Sequence, residues 1–156
     1  MITEIVILFV AYVLIQSLYS SARDWWSQKG YKPIRGDYRV IDGDTIAVGD
    51  ERIRLQGIDA PEIGQTGGDQ ATEALRLILA KGRIRAKLIE RDKYGRAVGA
   101  LQVNGKDVCA AMVSMGMARS YGAYKAQERI ARLKRRGLWG APGGMADPTA
   151  FRRLKT

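Results

Sequence analysis

Carboxylates gather in two short stretches of a chain whose net charge is +10. VIDGDTIAV (Val40 to Val48) carries Asp42 and Asp44, and IRLQGIDAPE (Ile53 to Glu62) carries Asp59 and Glu62. Carboxylate oxygens that converge from separate segments suit a hard cation such as Ca²⁺ or Mg²⁺. The sequence has no histidine. That removes Ser-His and Cys-His nucleophile pairs and His-ligated zinc, and leaves acids, arginines and a hard cation for any chemistry. Arg54 lies five residues before Asp59, and Arg96 follows the DKYG turn. Two guanidiniums beside a carboxylate-held cation would form a clamp for a phosphodiester, because their planar forks match phosphate oxygens and neutralise charge that grows in the transition state. Spacing alone leaves a plainer reading open: DGD as a turn, Asp59 as the residue of a proline bend, and the arginines as solvated strand faces.

These residues need a scaffold that brings them to one place. From Tyr38 to Leu55 the apolar positions alternate around Gly49 and Asp50, which predicts a strand near Tyr38–Ile41 followed by a two-stranded hairpin. Asp44 opens one arm of that hairpin and Asp59 lies just past the end of the other, so a matched return brings them to the same end. GIDAPEIGQTGGDQ reads as a loop. Asp69 is then expected to cap a helix running to Lys81 and Gly82. Two further strands follow, over Arg83–Glu90 and Arg96–Val103, then helices from Val108 to Met115 and around Tyr124–Arg136. The expected fold class is α+β, a five-stranded OB-type barrel with about three helices.

With 156 residues, the chain suits one domain with a core of its own. Lys and Arg outnumber Asp and Glu 26 to 16, which favours a polyanionic partner, either nucleic acid or an anionic membrane surface. The single cysteine, Cys109, lies in the apolar run VCAAMV and reads as a small core side chain. IVILFVAYVLI (Ile5 to Ile15) is uncharged, and the uncharged stretch continues to Ala22. It is expected to be a membrane anchor, with Trp25 and Trp26 at the interface and Arg23, Lys29, Lys32 and Arg35 holding the rest inside by the positive-inside tendency. Cleavage after Ala22, giving a secreted protein, is the competing reading. The expected organisation is a hydrophobic segment over 1–22, a linker over 23–36, a folded domain over 37–140 and a flexible basic tail over 141–156.

VIDGDTI, RLQGIDAPE with its arginine five residues before the aspartate, DKYGR, and GLWG after a basic helix occur in that order, and together they resemble the staphylococcal (micrococcal) nuclease or thermonuclease family. The resemblance covers roughly Asp37 to Trp139. It implies an OB-fold phosphodiesterase, monomeric, using one Ca²⁺ to cut DNA or RNA. Carried over by position, Asp44 and Asp59 would be metal ligands, with the backbone carbonyl of Ala60. Glu62 would orient or deprotonate the attacking water, and Arg54 and Arg96 would hold the scissile phosphate. Water would attack in line and the 5′ oxygen would leave, giving 3′-phosphate ends. Lys93 and Tyr94 match positions near a terminal phosphate, and Tyr121 corresponds to a nucleotide-contacting tyrosine with the spacing off by about one residue. Ala60 stands where the best-known member has Thr, and the loop after Glu62 is short and lacks that member's lysines.

Two other classes compete with an enzyme. One is a non-catalytic OB-type module gripping nucleic acid by charge and stacking. The other is a basic membrane-associated structural protein, which explains the apolar start and the basic end but not the acids on the hairpin.

Overall fold

The computed structural model describes residues 6–17 and 30–154. The chain divides into two units, 1–31 and 32–156. In the first, residues 6–17 form a helix, α1, whose side chains are exposed. At 1.5 Å per residue its described part spans about 18 Å, against a hydrocarbon core of about 30 Å. No helix among the described residues is long and apolar enough to cross a membrane. The expected membrane anchor is therefore corrected, because uncharged composition over Ile5–Ala22 does not by itself make a spanning helix. The cleavage site at Ser20–Ala22, the interfacial Trp25 and Trp26, and Arg23 and Lys29 lie outside the described residues.

The second unit is α+β. Its strands are β1 (Lys32–Pro33), β2 (Tyr38–Asp42), β3 (Thr45–Val48), β4 (Glu51–Leu55), β5 (Ile58–Asp59), β6 (Ile84–Arg91), β7 (Ala97–Val103), β8 (Lys106–Asp107) and β9 (Arg119–Ser120). Its helices are α2 (Gly68–Leu79), α3 (Val108–Ser114), α4 (Lys125–Leu133) and α5 (Pro148–Leu154), with a 3₁₀ turn over Gly137–Gly140. The main sheet runs β1-β6-β7-β4-β3-β2, with β8 on β7, and β5 pairs β9 in a separate ladder. Where five barrel strands are expected, the described residues form a seven-stranded sheet whose ladder does not close, plus that two-stranded ladder. The extra pieces are two-residue strands, too short to show any alternation in sequence.

The expected hairpin is present, with Thr45 opposite Arg54 and Val48 opposite Glu51. Gly49 turns it at φ 56°, a conformation glycine adopts without steric cost. β4 then pairs in parallel with β7, Arg54 opposite Val98. Ile46, Ile53 and Leu55 point inward and meet Leu75, Ile78 and Leu79 of α2, Leu101 of β7, and Val108 and Met112 of α3. Each large apolar side chain buried this way contributes about 1.5–3 kcal/mol. α2 starts one residue before Asp69, which occupies the first turn, and its N-cap is Gly67 at φ 90° with no side-chain cap bond. Asp69 is thus corrected from cap to first-turn acid, a position the helix dipole still favours.

Both ends of the expected domain gain structure. In the stretch read as a linker, Lys32 pairs with Ala86 and Pro33 with Arg85. In the stretch read as a flexible tail, Met145 and Pro148 are buried and α5 forms.

Candidate active site

The β2–β3 turn positions Asp44. Its backbone N–H donates to Asp42 Oδ1 at 3.0 Å, and its carbonyl accepts from Leu55 N–H at 2.8 Å. The residue is 2% exposed. Oδ1 accepts from Thr45 Oγ1 at 2.9 Å and from the Arg54 guanidinium, while Oδ2 accepts from the backbone N–H of Ala60 at 3.0 Å. The register of the hairpin explains the Arg54 contact, because Arg54 stands opposite Thr45, the residue after Asp44.

Asp59 is held by the β5–β9 ladder, opposite Arg119. Its Oδ1 accepts from Arg54 Nη2 at 2.7 Å. Arg152 Nη2, from α5, donates to both Asp59 oxygens at 2.9 and 2.8 Å, and Arg152 Nη1 donates to Glu62 Oε1 at 2.8 Å. Thr149 Oγ1 lies 3.4 Å from Asp59 Oδ2. Glu62 is steadied from its own loop, where its N–H donates to Gln65 Oε1 at 3.1 Å. Acids and guanidiniums therefore alternate from Asp44 through Arg54, Asp59 and Arg152 to Glu62. Arg54, Asp59, Arg119, Tyr121, Thr149 and Arg152 border an open cavity of about 470 Å³.

Burial pushes the Asp44 carboxyl up to about 7; Arg54 opposes the rise, nearby Asp42 adds to it, and the Ala60 and Thr45 hydrogen bonds oppose it. Burial works against the charged form of Arg54, but Asp44 and Asp59 outweigh it and hold this guanidinium protonated above the ordinary range. Arg152 is likewise held above that range, chiefly by its hydrogen bond to Asp59, set against partial burial and reinforced by Glu62. The site is a low-dielectric cluster in which each acid is answered by a cation.

The structure thus brings Asp44, Arg54, Asp59, Ala60 and Glu62 together and places Tyr121 on the cavity wall. It does not bring Arg96 into contact with them. Arg96 Nε donates to Asp92 Oδ2 at 2.7 Å, and its N–H donates to Asp92 Oδ1 at 3.0 Å. With Lys93 and Tyr94 it belongs to the 92–95 turn, where Lys93 Nζ lies 5.0 Å and the Arg96 guanidinium 5.6 Å from the Tyr94 ring. Arg96, Tyr94, Arg52 and Arg91 line a second hollow. The reason is register: Arg54 pairs with Val98, so Arg96 lies two residues earlier, just ahead of the start of β7. Among the described residues no three acidic, His or Cys side chains close on a common point where an ion would sit. The acids are joined through arginines instead.

Arg152, Thr149 and Arg119 are the site residues that the sequence reading missed. A signal for the first two exists in Asp147-Pro148, a capping residue followed by the proline favoured at the first helical position. Asp147 Oδ1 does accept from Thr149 N–H at 2.9 Å.

Comparison with known proteins follows from this geometry. The family model described as Staphylococcal nuclease homologue matches residues 52–141. A protein of Shigella flexneri named Micrococcal nuclease is 34% identical over 149 residues, covering 81% of this chain and 85% of that one. An Uncharacterized endonuclease of Escherichia coli O157:H7 is 38% identical over 112 residues, 65% of this chain and 73% of that one. A Probable staphylococcal-like nuclease of Oryza sativa subsp. japonica is 33% identical over 132 residues, 78% of this chain, but the match spans only 40% of the rice protein.

Proposed function

The chain belongs to the staphylococcal nuclease family, and from that premise we propose that it is a divalent-cation-dependent endonuclease that hydrolyses DNA or RNA on an OB-type scaffold. The observation that carries this reading is the run Asp44–Arg54–Asp59–Arg152–Glu62 beside an open cavity. Asp44, buried with its carboxyl pushed up to about 7, is one guanidinium away from the cavity-lining Asp59, and perturbed acids beside a cleft cluster at functional sites.

The donor set fits a hard cation. All its side-chain ligands are carboxylate oxygens, and the buried Asp44 carries more desolvation cost than Arg54 alone offsets. Asp44, Asp59 and the Ala60 carbonyl would hold Ca²⁺. Bound there, the ion supplies positive charge against the phosphodiester. Glu62 takes the proton of the attacking water at a carboxylate oxygen while the water oxygen forms a bond to phosphorus. The P–O5′ bond breaks, the 5′ oxygen is protonated from solvent, and a 3′-phosphate remains. Arg54 binds the charged phosphoryl oxygens, and Arg96 joins it on exchanging Asp92 for the substrate. Lys93, Tyr94 and Tyr121 would contact neighbouring nucleotides.

A plasmid digestion with EDTA, then excess Ca²⁺, tests the proposal, with end groups analysed and Glu62→Gln run in parallel. Cleavage should stop, return and leave 3′-phosphates, and the variant should lose about 10²–10⁴-fold in rate. Metal-independent cutting, 5′-phosphate products or an unimpaired variant would contradict it. Retention of nucleic acid without any cleavage would favour the non-catalytic binding module instead.

A further inference from the structure

Arg152 uses the same oxygens that a cation would need. Its guanidinium engages both Asp59 oxygens and Glu62 Oε1, and it comes from a segment far along the chain. That segment is docked rather than merely adjacent. Met145 and Pro148 are buried, the Met145 carbonyl accepts from Arg119 Nη2 at 2.6 Å, and the Asp147 carbonyl accepts from Gln65 Nε2 at 3.0 Å. Gln65 is also the residue that steadies Glu62, so the docking reaches the acid from two sides. Thr149 completes the contact at Asp59 and, like Arg152, lines the cavity.

Resting on the proposed metal-dependent reading, we propose that α5 is a displaceable latch: Arg152 stands in for the divalent cation at Asp59 and ties up the base Glu62 until the cation displaces it. One positive guanidinium and one divalent ion compete for the Asp59 oxygens, so whatever stabilises one disfavours the other. The latch is suited to release. The Arg152 side chain is 39% exposed, and ion pairs this close to water hold with modest strength. The metal-free protein keeps its buried acids compensated in the meantime.

The test uses the full chain and Arg152→Ala, each stripped with EDTA and titrated calorimetrically with CaCl₂, together with amide hydrogen exchange over residues 148–154. The variant should bind Ca²⁺ about tenfold more tightly, and saturating Ca²⁺ should strip exchange protection from 148–154 in the wild type. Equal or weaker Ca²⁺ binding by the variant, or unchanged protection at saturation, would overturn the latch while leaving the metal reading intact. Absence of Ca²⁺ binding by both proteins would overturn the metal reading and the latch together.

Discussion

Gly43 sits between Asp42 and Asp44, and the room around it sets how closely the acids approach α2. A Cβ built there would lie 2.6 Å from the Ala60 Cβ and 2.7 Å from the Ala71 Cβ, whereas carbon atoms rest at about 3.5–4.0 Å. Gly43→Ala therefore forces an overlap of about 1 Å on two sides at once. Neither neighbour is a flexible chain end: one precedes Pro61 and the other belongs to α2. Overpacking of this kind costs about 1–3 kcal/mol, and the upper half of that range is expected here. The retreat of Ala60 also stretches its 3.0 Å bond to Asp44, so the proposed Ca²⁺-dependent cleavage should fall along with stability. Ala71→Gly removes one of the two obstructing methyls at a helix cost of about 1 kcal/mol. In urea denaturation the double variant should be more stable than the two single losses predict by about 1 kcal/mol. A Gly43→Ala protein within about 0.5 kcal/mol of wild type, or strict additivity in the double variant, would refute the argument from close approach.

Arg54→Ala strips the buried Asp44 of its guanidinium partner, and in EDTA near pH 8 this should cost about 3 kcal/mol or more. Because burial pushes the Asp44 carboxyl up to about 7 from 3.8, the native state keeps its proton where the unfolded chain has released it. That stabilising difference is present below the ordinary value and is lost as pH rises through about 7. The cost of Arg54→Ala should accordingly shrink near pH 5, and equal losses at both pH values in chemical denaturation would count against it. Burial first, and Asp107 next, push the Cys109 thiol up to about 12 from 9.0, against a hydrogen bond from Tyr124. Between those values the unfolded chain ionises while the native one does not, so stability should decline by up to about 1.4 kcal/mol per pH unit. Cys109→Ala, compared with wild type by urea denaturation near pH 8 and pH 10, should remove that decline.

Which residues could be read in advance depended on how local their placement is. Asp44 and Arg54 are joined across one hairpin, and alternation around Gly49 and Asp50 was enough to face them toward each other. α2 was legible from the spacing of Ala71, Leu75 and Ile78, although not its cap, because a glycine at positive φ leaves no capping side chain to recognise. Arg96 was placed on the clamp by its turn, yet the offset of β4 against β7 leaves it with Asp92, and a parallel register is invisible to periodicity. Two-residue strands such as β5 and β9 carry no pattern at all. Arg152 was hidden by the composition of its surroundings: glycines, prolines and basic residues resemble a tail, and only the Asp147-Pro148 pair announces a helix. The N-terminal stretch errs in the opposite sense, since uncharged composition is shared by spanning segments and by helices that do not meet the length and apolarity of one.

The separation of the contacts around Asp59 governs when they can form. Arg152 reaches it across 93 residues and reaches Glu62 across 90, and its ladder partner Arg119 also lies in the last third of the chain. During synthesis both carboxylates emerge from the ribosome long before either arginine exists. Such distant closures are the slow part of folding. A half-made chain therefore carries Asp59 and Glu62 without Arg152 and without the β5–β9 ladder, and the cluster is assembled only when synthesis is nearly finished.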